Sequence, residues 1–205
     1  MQSYLQIQSM IIRLPLVLSI FASCTAAWGA GLQASGDDSA DIDLLINARL
    51  QLRAGDIRQA EGSTRDFLQK HPTSAQGHFF LGFILFREAQ AKAAVTATQE
   101  KARLSLAEYT EGAKYRQPSS LDLKIVALDY VLFDDFAHAD KWLTHSLTLN
   151  SKDAEAWYYL GRIKYSENKF PEAVQSFEQC LKADPQYVRA EEEKKKALAA
   201  ESTAH

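Results

Sequence analysis

The chain has 205 residues, 46% of them hydrophobic, which is the composition of a folded protein rather than of a disordered one. Its formal net charge of -3 offers no basic excess to phosphate backbones, so a nucleic-acid-binding role is disfavoured. Only 9 glycines and 5 prolines are present, which favours long helices over short strands joined by turns.

The first 29 residues have the pattern of a secretory signal peptide. Arg13 precedes an apolar run from Leu14 to Ala22, and small residues follow as far as Ala30. A positive end, a short apolar core and a small-residue exit are typical of such signals. We therefore expect residues 1–29 to be removed on export, leaving a periplasmic or secreted protein.

Two alternatives for this segment stay open. An uncleaved membrane anchor is one, because the uncharged stretch is long enough to span a bilayer, although its second half gains little from lipid. A lipoprotein signal of residues 1–23 is the other. Phe21-Ala22-Ser23-Cys24 resembles a loose lipobox, in which Cys24 is acylated, with Phe21 where Leu is usual. Ordinary cleavage removes Cys24 and leaves Cys180 as a single thiol, so no internal disulfide is then possible.

After a predicted flexible leader, residues 30–40, the chain falls into segments that share one apolar register. The first is residues 41–74. Its register positions are Leu44, Ala48, Gly55, Ile57, Ala60, Phe67 and Pro72, with Asn47 where Leu is expected.

The second segment, residues 75–119, begins in register at Leu81-Gly82 and ends in register at Ala113 and Pro118. Its surplus, around residues 88–105, is rich in Ala, Gln, Lys and Glu, which are strong helix formers. We expect a lengthened second helix or an extra short helix here. Residues 79–86 are apolar all round, which predicts a helix that is buried on every side.

The third and fourth segments are residues 120–153 and 154–187. The third carries Leu123, Val126, Ala127 and Tyr130 in its first helix, and Ala139, Leu143 and Leu147 in its second. The fourth carries Trp157, Leu160, Gly161, Tyr165, Ala173, Phe177 and Pro185. This pattern resembles the tetratricopeptide repeat (TPR), whose period is 34 residues. The resemblance covers residues 41–201 and implies an all-α, right-handed superhelix of about four helix-turn-helix repeats.

A polar closing helix is predicted at residues 188–201, followed by a tail at 202–205. Ion pairs from Glu191 to Lys195 and from Glu192 to Lys196 are expected four residues apart. A polar outer face suits the terminal cap of a solenoid.

The resemblance also implies a concave groove, lined by the first helices, that binds a partner protein or peptide. Carried over to this sequence, its lining is Leu45, Arg49, Leu52, Phe79, Phe83, Phe86, Lys124, Leu128, Tyr158, Arg162 and Tyr165. Because Leu45 and Arg49 occupy places where some TPR domains use Lys and Asn to clamp a peptide carboxylate, binding of chaperone tails is not expected. Either a segment of the chain itself, such as the surplus at residues 88–105, or a partner's helix or peptide covers the apolar face at Phe79 and Phe83.

The sequence offers no sign of catalysis, of a metal site or of a cofactor. His138 and His145 lie two helical turns apart and have no carboxylate or Cys partner at metal-binding spacing, and no phosphate loop, HExxH or GxSxG motif is present. Asp134-Asp135 suits helix capping, and Cys180 falls where a small buried residue is needed. The leading hypothesis is a scaffold that contacts the membrane only if it is lipidated or keeps its signal. The alternative is a lipid-anchored assembly factor for outer-membrane or pilus-type machinery, and the sequence leaves the oligomeric state open.

Overall fold

The computed structural model describes residues 39–91 and 94–203. This part of the chain contains nine α-helices and no strand. They are α1 (Ser39–Ala54), α2 (Ile57–Lys70), α3 (Ala75–Ala91), α4 (Val95–Ala113), α5 (Ser120–Leu132), α6 (Phe136–Leu149), α7 (Ala154–Ser166), α8 (Phe170–Ala183) and α9 (Val188–Thr203). The predicted signal peptide, Cys24 and the leader up to residue 38 lie outside the described residues.

The helices form four pairs, α1/α2 to α7/α8, closed by α9. Each helix packs against the next one in the chain, and α3 also contacts α5 directly, as α7 contacts α9. Stacking pairs in this way buries the apolar face that each pair leaves open. The expected all-α TPR superhelix is confirmed.

Three of the turns within pairs contain a residue in the left-handed region. They are Gly55 at φ 89°, Asp134 at φ 59° and Asn168 at φ 60°. Glycine pays no steric penalty there, and Asp and Asn tolerate the conformation better than other residues. These turns fix where one helix ends and its partner begins.

Short polar side chains begin several helices. Ser119 and Asp122 form a capping box at α5, in which each side chain bonds the other residue's backbone N–H. Asp135 accepts from the N–H of His138 at α6, and Asp153 accepts from the N–H of Ala156 at α7. The capping role expected at Asp134-Asp135 therefore belongs to Asp135.

The second pair is longer than the others. Its helices have 17 and 19 residues, whereas the helices of the third and fourth pairs have 13 or 14. The surplus predicted around residues 88–105 is thus shared by both helices, and the described residues hold no extra short helix there.

Helix crossings are tightest where small residues meet large rings. A Cβ added at Gly161 would lie 2.7 Å from Cε1 of Phe177, whose ring is completely buried. The closing helix uses the same device, since Ala190 and Ala197 pack against the cluster that contains Phe177. On its outer side the Lys195 ammonium lies 3.6 Å from Glu191, but Lys196 pairs with Glu193 at 2.8 Å, not with Glu192 as expected.

Candidate partner-binding face

The predicted groove lining divides into buried and partly exposed side chains. Seven of its residues are less than one-tenth exposed: Leu45, Leu52, Phe79, Phe86, Lys124, Leu128 and Tyr158. Four are partly exposed: Arg49, Phe83, Arg162 and Tyr165. The first seven belong to the packed interior, so their assignment to an open groove is corrected.

The burial of Phe79 comes from the chain's own helices. Its ring lies 5.9 Å from the ring of Tyr109 on α4, and the Arg116 guanidinium lies 5.1 Å above its centroid. Ile125 and Leu128 of α5 close the same cluster, which also holds Phe86. The cover is therefore α5 and the second half of α4, beyond the surplus stretch at residues 88–105.

Lys124 forms ion pairs with two carboxylates of the chain itself, so its charge is not available to a partner in the groove. Its ammonium lies 2.9 Å from Oδ2 of Asp153 and 2.9 Å from Oε2 of Glu155, and it joins α5 to the start of α7. Burial by itself would lower the pKa of Lys124, but the charges of Glu155 and Asp153 outweigh burial and raise it. The sequence hinted at this arrangement, because two acids begin the next repeat.

Tyr158 is held in an aromatic cluster beneath the closing helix. Its ring lies 5.1 Å from that of Tyr187 and 5.5 Å from that of Tyr159. The Arg162 guanidinium lies 5.6 Å from the centroid of Tyr158 and 6.0 Å from that of Tyr159. A cation over two ring faces is attracted by both and is held in place, so Arg162 presents a fixed positive charge.

A strip of partly exposed side chains remains on the first helices, and we call Phe83, Tyr159, Arg162 and Tyr165 the exposed strip. Phe83 on α3 and Tyr159 on α7 pack against one buried cluster, so the second pair is linked to the fourth. Tyr165 lies three residues after Arg162, on the same face of α7. The strip thus combines aromatic surface with one oriented cation.

Arg49 lies at the other end, on α1. Its guanidinium is 5.8 Å from the centroid of Phe80. Burial, and after it the charge of Arg53, lowers the pKa of Arg49.

The other side chains that could take part in catalysis or metal binding have structural roles in this fold. Both ring nitrogens of His78 are engaged, with Glu108 at 2.7 Å and the Pro72 carbonyl at 2.9 Å, and this ties α3 to α4. Cys180 is completely buried, and burial raises the pKa of its thiol to about 12. Within residues 39–91 and 94–203 no group of three metal-ligating side chains comes together. No helix in those ranges is long and apolar enough to cross a membrane.

Sequence reasoning missed one polar cluster at the junction of α3, α4 and α5. Asp129 of α5 is fully buried and is bonded to Ser105 of α4. The available signal was a lone carboxylate within the apolar run of α5.

The helix pairs and their stacking define an all-α solenoid, and comparisons with known proteins agree. Residues 154–187 match the family model described as Tetratricopeptide repeat. Residues 154–187 therefore match a tetratricopeptide repeat, and the stacked helix pairs around them have the fold of a TPR solenoid.

Solved structures with the same fold include MamA, with a TM-score of 0.65 and 18% identity over 79% of this chain and 82% of that one. A second is TTC0263, a TPR protein of Thermus thermophilus, with a TM-score of 0.63 and 17% identity over 78% of this chain and 81% of that one. A third is YrrB, described as a TPR protein with an unusual peptide-binding site, with a TM-score of 0.62 and 15% identity over 79% of this chain and 78% of that one. No curated protein matches the sequence significantly.

Proposed function

We propose that this protein is a non-catalytic scaffold that holds a helix or an extended peptide of a partner protein on the exposed strip. The observation that carries the proposal is the strip itself. Most of the expected groove is closed by the chain's own packing, yet one aromatic surface with an oriented arginine stays accessible. Partner recognition by TPR folds in general, and the peptide-binding site named for YrrB, support this function.

The mechanism follows from the chemistry of the strip. An apolar side chain of the partner loses water against Phe83 and the tyrosines, and aromatic anchors of this kind dominate many interfaces. The Arg162 guanidinium keeps donors for a partner carboxylate or carbonyl and sets the orientation of the bound segment. Tyrosine supplies contact area with few torsions to immobilise.

Site-specific photocrosslinking in the native cell tests the proposal. A photoreactive residue is placed at position 83 and, as a matched control, at Leu104, which is 39% exposed on the second helix of the same pair. We expect one protein to be trapped from position 83 and not from position 104. Equal trapping at both positions would contradict a specific face.

The trapped partner then allows a quantitative test. Phe83→Ser and Arg162→Ala should each weaken its binding by about 2 kcal/mol or more, roughly 30-fold in Kd, if they are hot-spot residues. Leu104→Ser should leave Kd unchanged. Thermal unfolding of each variant shows whether the fold is intact. Unchanged affinity in a folded Phe83→Ser, Arg162→Ala double variant would refute the site.

We also propose that the protein is exported, since residues 1–29 have a signal-peptide pattern. A specific motif, Phe21-Ala22-Ser23-Cys24, supports the second candidate, a lipid-anchored assembly factor. Mass spectrometry of the mature N-terminus separates the two. An acylated Cys24 whose loss in Cys24→Ala releases the protein from membranes supports the anchor, and a free terminus near residue 30 excludes it.

A further inference from the structure

Asp129 is a carboxyl group inside the junction of three helices. Its side chain is 0% exposed. Oδ2 lies 2.6 Å from the Ser105 hydroxyl of α4, and that hydroxyl lies 2.9 Å from the Gly82 carbonyl oxygen of α3. One hydroxyl therefore bridges α5, α4 and α3, the helices that join the second pair to the third.

The number of hydrogens available to this bridge indicates the protonation state of Asp129. A serine hydroxyl donates one hydrogen, and a carbonyl oxygen or an ionised carboxylate only accepts. If Asp129 were ionised, the single Ser105 hydrogen could be donated either to Oδ2 of Asp129 or to the Gly82 carbonyl oxygen. The other of these two oxygens would then lie against the Ser105 oxygen with no hydrogen between them. If Asp129 is neutral, its O–H donates to Ser105, whose own O–H donates to Gly82, and both short contacts are hydrogen bonds.

The surroundings do not compensate a negative charge. Oδ1 of Asp129 has no hydrogen-bond partner among the described residues. Burial raises the pKa of Asp129 well above its usual value, and the Ser105 hydrogen bond offsets this only in part. An uncompensated carboxylate in such a place takes up a proton instead of staying charged.

The titratable groups on the neighbouring helices are paired with other residues, buried or exposed to solvent. On α4, Tyr109 is buried and Lys101 is paired with Glu88 of α3 and with Glu61 of α2. On α5 itself, Asp122 belongs to the capping box. On α6, which packs along α5, His138 is bound to Asp135, Asp140 is paired with Lys164 of α7, and Lys141 and His145 are exposed.

We propose that Asp129 carries a proton in the folded protein at neutral pH and acts as a latch, so that its ionisation releases α5 from α3 and α4. The latch lies at the junction of α3, α4 and α5, and the proposal stands whether or not the exposed strip binds a partner. Alkaline conditions ionise Asp129 and loosen the contact between the second and third pairs, whereas at neutral and mildly acidic pH the latch stays closed.

The sign of the pH dependence follows from linkage. An unfolded aspartate loses its proton near pH 3.9, whereas the folded one keeps it to higher pH. Below that value both states hold the proton, so the contribution of Asp129 to stability is fully present and does not change with pH. Above it, the unfolded state binds fewer protons, so the unfolding equilibrium constant rises about tenfold per pH unit until Asp129 itself ionises.

The test compares the full chain with Asp129→Asn, whose amide has the same shape and no titration. Unfolding by urea is measured from about pH 5 to pH 7. We expect the ratio of the unfolding constants, wild type over variant, to rise about tenfold per pH unit. A ratio that is constant with pH overturns the proposal.

Infrared spectroscopy gives a second readout that does not depend on how stable the variant is. The folded wild type at neutral pH should show the C=O band of a protonated carboxyl group, and Asp129→Asn should lose it while Asp122→Asn retains it. If the Asp129→Asn chain does not fold, a band that Asp122→Asn retains and that disappears on alkaline titration still supports the latch. A wild type with carboxylate bands alone refutes the latch.

Discussion

Replacing Phe79 by alanine should strongly destabilise the protein, because the ring is 0% exposed. Losing the burial of such a side chain costs about 1.5–3 kcal/mol, and the cavity left behind adds to that. The α4 backbone lies against the ring, because a Cβ added at Gly112 would be 2.6 Å from Cε1 of Phe79. Since backbone moves less readily than a side chain, the cavity that the ring leaves cannot close easily. We expect a total loss of about 3–5 kcal/mol.

Thermal unfolding followed by far-ultraviolet circular dichroism measures this loss. For a domain of this size, about 3–5 kcal/mol corresponds to a fall in Tm of roughly 6–20 °C. Phe83→Ala is the matched control, because it removes the same ring one turn later from a partly exposed position. A Phe79→Ala fall in Tm no larger than that of Phe83→Ala would show that Phe79 is not a core residue.

Two further predictions test the packing. Gly161→Ala should cost about 1–3 kcal/mol, because its Cβ would lie 2.7 Å from the ring of Phe177. Gly62→Ala, at a helical glycine with nothing within 4 Å of the added Cβ, should instead stabilise by about 0.5–1 kcal/mol, and equal Tm shifts in the two variants would contradict the difference in packing. Cys180 should resist a thiol reagent in the folded protein at neutral pH and react once urea unfolds it, since burial raises its pKa to about 12. Fast modification of the native protein would contradict its placement.

The architecture could be predicted because the residue size at each position of the repeat follows the way its two helices pack. Gly161 and Ala173 are small where helices cross, and Phe177 is large where they leave space, so the register of the fourth repeat is visible without a structure. The extra residues of the second repeat could also be predicted, because residues 75–119 exceed the 34-residue period. Their division between α3 and α4 could not be predicted, because Ala-rich and Glu-rich sequence is equally good in either helix.

The candidate site was less predictable, because exposure at a groove position depends on neighbouring repeats. Phe79 and Tyr158 hold equivalent positions in the second and fourth repeats, and both are covered from outside their own helix. Tyr109 and α5 cover the first, while Tyr187 and the closing helix cover the second. A pattern read along a single helix carries no information about these covers.

The roles of the basic groove residues also depend on neighbouring repeats. Lys124 and Arg162 looked equivalent as basic residues of the groove, but their surroundings give them opposite roles. Lys124 meets Asp153 and Glu155 at the start of the next pair and becomes an internal tie. Arg162 meets two tyrosine rings, which hold it without neutralising it.

The narrowness of the exposed strip has a consequence for recognition. With seven of the eleven predicted lining residues packed inside, the proposed partner segment would meet few side chains, and Phe83 and Arg162 lie on different repeats. Phe83 belongs to the second pair and Arg162 to the fourth, so their separation depends on two junctions, and the first of these holds the bridge from Asp129 through Ser105 to Gly82. A change in that junction alters the spacing of the two anchors without touching either one. Under the proposed function, specificity therefore depends on how the repeats stack as well as on the residues of the exposed strip.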